Sequence, residues 1–212
     1  MAKTAPASAT PADLGRIDVV LLSHDEHDDN LDTSGRALLA DVPLTLTTPS
    51  GAGGWAAPHA PEGLGVHRAG PPRRRHDHRH RRPGPARSRA RADLEPVVGE
   101  VVGFVLSGDG LPTVYISGDN AQLSLVREIA ERFGPVDTAV LFAGAVRTPV
   151  LDRSLLTLDS AQAAEAARIL GARRIVPVHF DSWAHFTEGR DELVAAFAGA
   201  GLTNRVDFGV RG

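Results

Sequence analysis

The chain has 212 residues, a hydrophobic content of 42% and a formal net charge of −3, which are typical of a soluble globular protein with one domain. It contains no cysteine, so disulfides and thiolate metal sites are excluded, and any metal must be bound by His, Asp, Glu or Asn. No apolar run approaches the ~18 residues of a membrane span, and residues 1–13 lack the apolar centre of a signal peptide. We therefore expect a cytoplasmic protein without a membrane partner.

The N-terminal part of the chain predicts a tail, a strand, a helix and a second strand. Residues 1–13 are small and interrupted by proline, and we expect them to be disordered. The apolar run 17–22 is typical of a buried strand. Apolar residues within 31–40 indicate a helix, and the β-branched run 42–47 indicates a short strand.

A polar cluster, SHDEHDDNLD at residues 23–32, directly follows the first predicted strand. Most of its side chains are His, Asp, Glu or Asn, which are all candidate metal ligands. A buried strand that ends in such a cluster brings these ligands to one edge of a sheet. The alternative is a solvated acidic turn, although such turns rarely contain two histidines at the end of a buried strand.

The second half of the chain shows regular alternation of strands and helices. Residues 51–92 have neither a strand nor a helix period, whereas 97–107 and 113–117 are predicted strands that the turn Gly108-Asp109-Gly110 joins. The remaining predicted strands are 136–143, 175–178 and 206–210. The predicted helices run from a cap at Asn120 to Phe133, from a cap at Asp159 or Ser160 to residue 170, and over 191–200.

This order of elements predicts an α/β sandwich with its helices outside. Candidate ligands follow three of the strands: His24, His27 and Asp29 follow the first, Asp119 follows the hairpin, and His179 follows strand 175–178. Because functional residues of layered α/β folds commonly gather at strand ends, we expect these three groups to lie together.

The motifs resemble those of the metallo-β-lactamase-fold hydrolases, especially the branch of ascorbate-6-phosphate lactonase and N-acylphosphatidylethanolamine phospholipase D. The family pattern is Thr/Ser-His-x-His-x-Asp-His-Leu-Asp after a strand, then a His, a bridging Asp and a final His. Residues 21–24 (LLSH) and 27–32 (HDDNLD) resemble the first motif, 117–119 (SGD) the second and 176–180 (VPVHF) the last. The resemblance covers about residues 14–50 and 95–212 and implies a single αββα domain.

By this resemblance the chain would bind one or two divalent cations, Zn²⁺ in the first place and Mn²⁺ or Fe²⁺ as alternatives. His24 and His27 would bind the first metal, Asp29 and His179 the second, and Asp119 would bridge the two. Such a pair lowers the pKa of a shared water and polarises the bond to be cleaved. Asp29 would also orient the hydroxide.

His185, in the segment Trp183-Ala184-His185-Phe186, is a candidate catalytic residue that faces the substrate. The alternative is a structural role, because a lone histidine among aromatic residues is more often part of the packing.

The chain departs from the family pattern in four places. Its first two histidines are separated by two residues instead of one, and Asp25 is an alternative to His24 as the first ligand. Asn30 replaces a histidine, and a neutral amide is a poor zinc ligand. Residues 1–16 are too few for the strands that the family has before this motif, so we expect a truncated N-terminus and an incomplete sheet. The middle histidine of the family has no counterpart.

The Arg-rich segment around residues 76–82 (HDHRHRR) has three interpretations: a metal cluster, a basic nucleic-acid-binding arm, or a product of a shifted reading frame. In GC-rich codons, residues 77–87 (DHRHRRPGPAR) shifted by one base can encode ITVTAVPARHG, a β-rich strand followed by the missing His-Gly. We therefore hypothesise a frame-shifted segment within about residues 52–93. His76, His78 and His80 would then be accidental candidates.

These patterns predict a metal-dependent hydrolase that uses a metal-bound hydroxide on an ester, lactone or phosphodiester bond of a small-molecule substrate. Because of the departures, we predict weakened binding of fewer than two metals per chain. One alternative is a non-catalytic scaffold of the same fold. The other, a nucleic-acid-associated protein, is disfavoured because the Arg-rich segment 73–91 contains no aromatic residue for base stacking.

Overall fold

The structure, a computed structural model, describes residues 2–7, 9–48, 51, 65–69, 100–147 and 153–209. The described residues form a two-stranded sheet, a five-stranded sheet and helices that pack on them. This arrangement confirms the predicted α/β class.

The two-stranded sheet comes from the N-terminal part of the chain. After a single helical turn, α1 (Pro11–Leu14), strand β1 (Val19–Leu21) pairs in parallel with β2 (Leu44–Leu46), and α2 (Thr33–Leu39) connects them. The side chain of Asp32 caps α2 by accepting a hydrogen bond of 2.8 Å from the amide of Gly35. The apolar side of this unit is a small buried cluster of Leu22, Leu31 and Leu39.

The five-stranded sheet is mixed and has the strand order β3-β4-β5-β6-β7. Its first three strands, β3 (Gly65–Ala69), β4 (Gly103–Gly108) and β5 (Leu111–Ile116), are antiparallel neighbours. Strands β6 (Thr138–Phe142) and β7 (Arg174–Val178) continue it in parallel with β5. The carboxyl ends of β5, β6 and β7 therefore meet at the same edge of the sheet.

Three helices pack on this sheet and enclose the main core: α3 (Leu123–Phe133), α4 (Ser160–Ile169) and α5 (Arg190–Gly199). The side chain of Asp159 caps α4, as one of the two predicted caps, and accepts a hydrogen bond from the amide of Gln162. Alanines dominate the inner face of α4, which allows close approach to the sheet. The largest fully buried side chains include Phe104, Tyr115, Leu141, Ile175 and Phe197.

Two predicted elements differ from the structure. Asn120 does not cap α3, because its side-chain oxygen accepts from the amide of Gln122, the residue that holds the N-cap position. The predicted last strand, 206–210, is reduced to one parallel bridge between Val206 and Ile175, after a 3₁₀ turn over Thr203–Arg205. Residues 210–212 lie outside the described residues.

Residues 2–4, part of the segment 1–13 that we expected to be disordered, pair with a distant part of the chain. Lys3 forms an antiparallel bridge with Trp183, and the amide of Thr4 donates to the carbonyl of Ser182 at 2.8 Å. The amide of Ala184 donates to the carbonyl of Ala2 at 3.0 Å. Paired backbone groups, which composition does not reveal, hold this segment against the loop that contains His185.

The Arg-rich region is only partly described. Residues 65–69, which we expected to be irregular, form strand β3 because the neighbouring β4 offers a free edge for pairing. Residues 52–64 and 70–99, and with them most of the hypothesised frame-shifted segment and His76, His78 and His80, lie outside the described residues. Among the helices of the described ranges, none has the length and apolar character that crossing a bilayer would require.

Candidate metal centre

Three loops that follow strands converge at one place. His24, His27 and Asp29 lie in the loop after β1, Asp119 in the loop after β5, and His179 directly after β7. The loop between β7 and α5 also contributes His185. The close approach of the loops after β1 and β5 depends on Gly118, whose φ is +56°. A side chain could not fit at this position, because its Cβ would lie 2.7 Å from the carbonyl oxygen of Val102 and 3.1 Å from Cβ of Ser23.

His24 and Asp119 form the first part of the centre. His24 is fully buried, and its Nε2 lies 3.8 Å from Oδ2 of Asp119, whose side chain is 11% exposed. The half-buried ring of His27 stands edge-on to that of His24, with 5.2 Å between the ring centroids. His27 therefore borders this part of the centre through His24.

Asp29, His179 and His185 form the second part. One ligand atom from each lies within 4.8 Å of the other two. Oδ2 of Asp29 is 2.8 Å from Nε2 of His185, a hydrogen bond, and 3.5 Å from Nε2 of His179. His185 is the most exposed member of this trio, at 22% against 6% for Asp29.

Asp119 lies between the two parts. One of its carboxylate oxygens, Oδ2, is the neighbour of His24, and the other, Oδ1, lies 3.7 Å from Nε2 of His179. Four of the five predicted ligands, His24, Asp29, Asp119 and His179, therefore lie close to one another, with His27 beside His24 and His185 beside Asp29. Asp25, the alternative first ligand, is not part of the group of closely spaced ligand atoms found among the described residues; its backbone carbonyl accepts from Arg36 and its backbone amide donates to the side chain of Glu26.

Several polar atoms of this centre are buried and have no hydrogen-bond partner among the described residues: Nε2 of His24, Oδ1 of Asp29, Oδ1 of Asp119 and Nε2 of His179. An unsatisfied buried polar group costs about 1–3 kcal/mol, so such a concentration at one place requires an explanation. A bound divalent cation satisfies imidazole nitrogens and carboxylate oxygens together, and the donor set fits this group.

The protonation states of the donors also favour a cation. Burial opposes ionisation of Asp29, but the interactions with His179 and then His185 outweigh it and lower the pKa of this carboxyl to about 2. Burial, followed by the neighbouring His27, lowers the pKa of His24 against the opposing charge of Asp119. Anionic carboxylates and neutral imidazoles are the forms that bind metals.

Aromatic rings pack against His179 and His185, the two histidines of the loop after β7. The ring of His179 stacks on Phe142 at a centroid distance of 5.0 Å, and Phe186 contacts both His179 at 4.7 Å and His185 at 4.6 Å. His179 has a positive φ of 57°, which is uncommon for a residue with a side chain.

Three residues that support these histidines were not predicted from the sequence: Ser23, Asn30 and Phe186. Ser23 lies 3.0 Å from Nδ1 of His24, and Asn30 donates a short hydrogen bond to the carbonyl of His24. For Ser23 the available signal was its position next to His24, and for Phe186 it was the segment Trp183-Ala184-His185-Phe186. Neither signal shows which atoms are in contact. Asn30 was considered only as a lost ligand.

Comparison with known proteins places these observations in a family. The family model of the beta-lactamase superfamily domain matches residues 1–180. A UPF0173 metal-dependent hydrolase of Methanosphaerula palustris is 38% identical over 98 residues, which cover 46% of this chain and 40% of that protein. The chain thus spans well under half the length of this curated relative.

Solved structures share the fold. The isothiocyanate hydrolase from Delia radicum gut bacteria superposes with a TM-score of 0.70 at 22% identity, over 94% of this chain and 76% of that one. Igni18, a metallo hydrolase from Ignicoccus hospitalis, does so with a TM-score of 0.63 at 18% identity, over 95% and 81%. The converging loops, the buried donor atoms and a family model that covers most of the sequence agree, and the chain belongs to the beta-lactamase superfamily.

Proposed function

We propose that this protein is a metal-dependent hydrolase that cleaves an ester, lactone or phosphodiester bond of a small-molecule substrate. The observation that carries this proposal is the set of buried donor atoms without a hydrogen-bond partner among the described residues, which three separate loops bring to one centre. The name of the curated relative, a metal-dependent hydrolase, supports the same chemistry. Within the superfamily, the SHDEHDDNLD motif supports the branch of ascorbate-6-phosphate lactonase and N-acylphosphatidylethanolamine phospholipase D.

The proposal includes two cation-binding groups, which would bind one or two cations in total with weakened affinity. His24, His27 and Asp119 would hold the first cation. Asp29, His179 and His185 would hold the second, since their ligand atoms lie within 4.8 Å of one another. Asp119 would contribute to both groups because its two oxygens face different histidines. We propose Zn²⁺, and the same nitrogen and oxygen donors also suit Mn²⁺ or Fe²⁺.

His185 has a particular place in this scheme. The family pattern has a histidine where this chain has Asn30, and the second group would lack a nitrogen donor without a replacement. His185 approaches the same carboxylate from a different loop. We propose that it supplies the missing donor and, as the most exposed member of the group, borders the substrate.

When bound, a divalent cation lowers the pKa of a coordinated water and polarises the scissile bond. The residues of the chain prepare the centre for this. Asp29 stays ionised throughout the physiological pH range because its pKa is about 2. Its Oδ1 has no hydrogen-bond partner among the described residues and is available to accept a hydrogen bond from the substrate or from water. Phe142 and Phe186 pack against His179 and restrict its movement.

The test is hydrolysis of chromogenic esters, lactones and phosphodiesters by the protein loaded with Zn²⁺ or Mn²⁺. We expect turnover of at least one class, its loss after chelation, and a loss of at least about 100-fold in kcat/KM for Asp29→Asn. His67→Gln is the matched control, because His67 is a half-buried histidine that packs on Phe133. It lies on β3, at the opposite edge of the five-stranded sheet from β7. Turnover that survives both chelation and Asp29→Asn contradicts the proposal.

A specific observation favours a second candidate, a metal-binding scaffold without turnover. The amide of Asn30 is engaged by the carbonyl of His24 and by Ser23, so it is not free to act as a ligand, and the first group has only two histidines within the described ranges. Stoichiometric metal binding with no hydrolysis of any class would support the scaffold over the hydrolase.

Two wider expectations stay proposals. We propose that residues 1–212 form one domain. We also propose a cytoplasmic location, which the absence of cysteine from the chain supports because disulfides are characteristic of oxidising compartments.

A further inference from the structure

Asn30 and Ser23 connect the backbone of His24 to its imidazole ring. We propose that Asn30, acting through the hydroxyl of Ser23, holds His24 in the tautomer that carries its hydrogen on Nδ1, which leaves the Nε2 lone pair directed at Asp119. Asn30 is thus a positioning residue. The role of His24 as a metal ligand rests on the proposed function, whereas the tautomer itself does not.

The first step is the orientation of the Asn30 amide. A backbone carbonyl oxygen can only accept a hydrogen bond, so the atom of Asn30 that faces the carbonyl of His24 must be the donor, Nδ2. The other end of the amide, Oδ1, then faces Oγ of Ser23 at 3.3 Å. The His24 carbonyl therefore decides which end of the amide Ser23 meets.

The second step is the direction of the Ser23 hydroxyl. Oδ1 of Asn30 carries no hydrogen, so the hydrogen between these two atoms must belong to Ser23. A serine has one hydroxyl hydrogen, and here Asn30 uses it. Oγ of Ser23 can then act toward Nδ1 of His24, 3.0 Å away, only as an acceptor.

The third step is the ring of His24. Nδ1 must carry the hydrogen that Ser23 accepts, and a neutral imidazole has only one ring hydrogen. Nε2 is therefore unprotonated, and this is the buried atom that lies 3.8 Å from Oδ2 of Asp119 and has no hydrogen-bond partner in the described part of the chain. Second-layer hydrogen bonds of this kind orient metal-binding histidines and raise their affinity.

Burial shields Ser23 and His24 from water, whereas Asn30 is half-buried. Ser23 is 4% exposed and His24 is fully buried, so neither side chain can exchange its partner for bulk solvent. The amide of Val102 donates to the carbonyl of Ser23 at 3.0 Å and holds the backbone in place. Replacement of Asn30 by alanine would release the hydroxyl of Ser23, which could then donate to Nδ1 and favour the opposite tautomer.

The decisive measurement is the pair of ring-nitrogen chemical shifts of His24 in the metal-free, ¹⁵N-labelled protein at mildly alkaline pH, assigned by the signals that His24→Gln removes. We expect a protonated Nδ1 and an unprotonated Nε2. A protonated Nε2 in the unmodified protein would overturn the inference without reference to any variant, to metal binding or to activity.

Variants test the role of Asn30. In Asn30→Ala and in Ser23→Ala we expect the His24 signals to shift toward the other tautomer, and the Zn²⁺ affinity in competition with a chromophoric chelator to fall about 10–100-fold. Because both residues act in one path, the double variant should lose little more than either single variant. Additive losses would contradict a common path.

Asn120→Ala is the matched control, because Asn120 is also an asparagine beside the centre, next to Asp119, and is more deeply buried than Asn30, but it bonds to Gln122 instead of His24. Its His24 signals should not change. If the tautomer is as expected but the protein hydrolyses nothing, the proposed function fails and this inference stands. If Asn30→Ala keeps both the tautomer and the affinity, the inference fails even in an active enzyme.

Discussion

Nε2 of His185 lies 2.8 Å from Oδ2 of Asp29, although 156 positions separate the two residues in the chain. Asp29 belongs to the loop after β1 in the small sheet, and His185 to the loop after β7 in the large one. This contact joins the two sheets at the candidate metal centre. It also places in the centre a histidine that the family pattern does not assign to a metal.

His185→Gln tests whether this histidine is a ligand. We expect the variant to bind one Zn²⁺ equivalent less, or to bind the weaker equivalent at least about 10-fold more weakly, because the second group keeps only one imidazole. Equilibrium dialysis with metal analysis measures both quantities. His67→Gln should match the unmodified protein, and an unchanged stoichiometry and affinity in His185→Gln would leave this residue a structural role.

Asp119→Asn separates metal binding from stability. Asp119 is 8% exposed, and its Oδ1 has no hydrogen-bond partner among the described residues. Loss of the shared carboxylate should weaken both cation equivalents. In the metal-free protein, removal of a buried charge should leave the free energy of unfolding unchanged or raise it by about 1 kcal/mol.

Urea unfolding of both metal-free proteins, together with Zn²⁺ titration, checks this expectation. A variant that is clearly less stable without metal would show that Asp119 has a structural partner instead.

Gly144→Ala should disturb the candidate metal centre through its contacts with Phe186 and His179. A Cβ on Gly144 would lie 2.6 Å from Cδ1 of Phe186 and would also overlap the carbonyl oxygen of His179. Since a backbone atom cannot rotate away, we expect a loss of about 1–3 kcal/mol in the free energy of unfolding, with weaker metal binding as His179 shifts.

The control for this substitution is Gly199→Ala, in the last turn of α5, where a Cβ would have nothing within 4 Å. There alanine should be neutral or stabilise by up to about 1 kcal/mol, because it favours the helix more than glycine does. Equal effects of the two substitutions in chemical denaturation would contradict the steric explanation.

Asp32→Ala should cost about 1 kcal/mol, because Asp32 is the N-cap of α2. Its hydrogen bonds from Ser34 and Gly35, with a smaller contribution from Lys3, lower the pKa of its carboxyl from 3.8 to about 2. A depressed pKa means that the charged carboxylate stabilises the fold above pH 3.8 and that this contribution is lost as the pH falls toward 2. The effect is small because Asp32 is partly solvated.

The comparison for this pH dependence is Asp32→Asn, which keeps a good cap but has no charge. The difference in stability between the unmodified protein and Asp32→Asn should be constant near neutral pH and disappear between about pH 4 and pH 2. Urea unfolding over this range measures it. A difference that persists at pH 2 would show that the carboxylate charge is not its cause.

Local patterns were enough to predict most elements of the fold. The apolar run before Ser23 predicted β1, and the Gly108-Asp109-Gly110 turn predicted the β4–β5 hairpin, because these signals depend on residues that are neighbours in the chain. Element ends were less predictable. Asn120 was expected to cap α3, but its side chain bonds to Gln122, and such competition between two short-range hydrogen bonds is decided by a fraction of a kcal/mol.

Partners distant in the chain were not predictable. Strand β3 lies in a stretch without any strand period and exists because β4 offers it an edge. The segment around Lys3 pairs with Trp183 for a similar reason. In both cases the backbone supplies the interaction, and every residue type has the same backbone groups.

By itself, the sequence determined the α/β class and the residue types at the candidate centre, because strand periodicity and the motif around His24 are local properties of the chain. Only the tertiary structure decided that His185 meets Asp29, that Asp119 lies between His24 and His179, and that Asn30 bonds to Ser23 and His24. These relationships depend on the directions of side chains across two sheets, and differences of an ångström separate a ligand from a supporting residue.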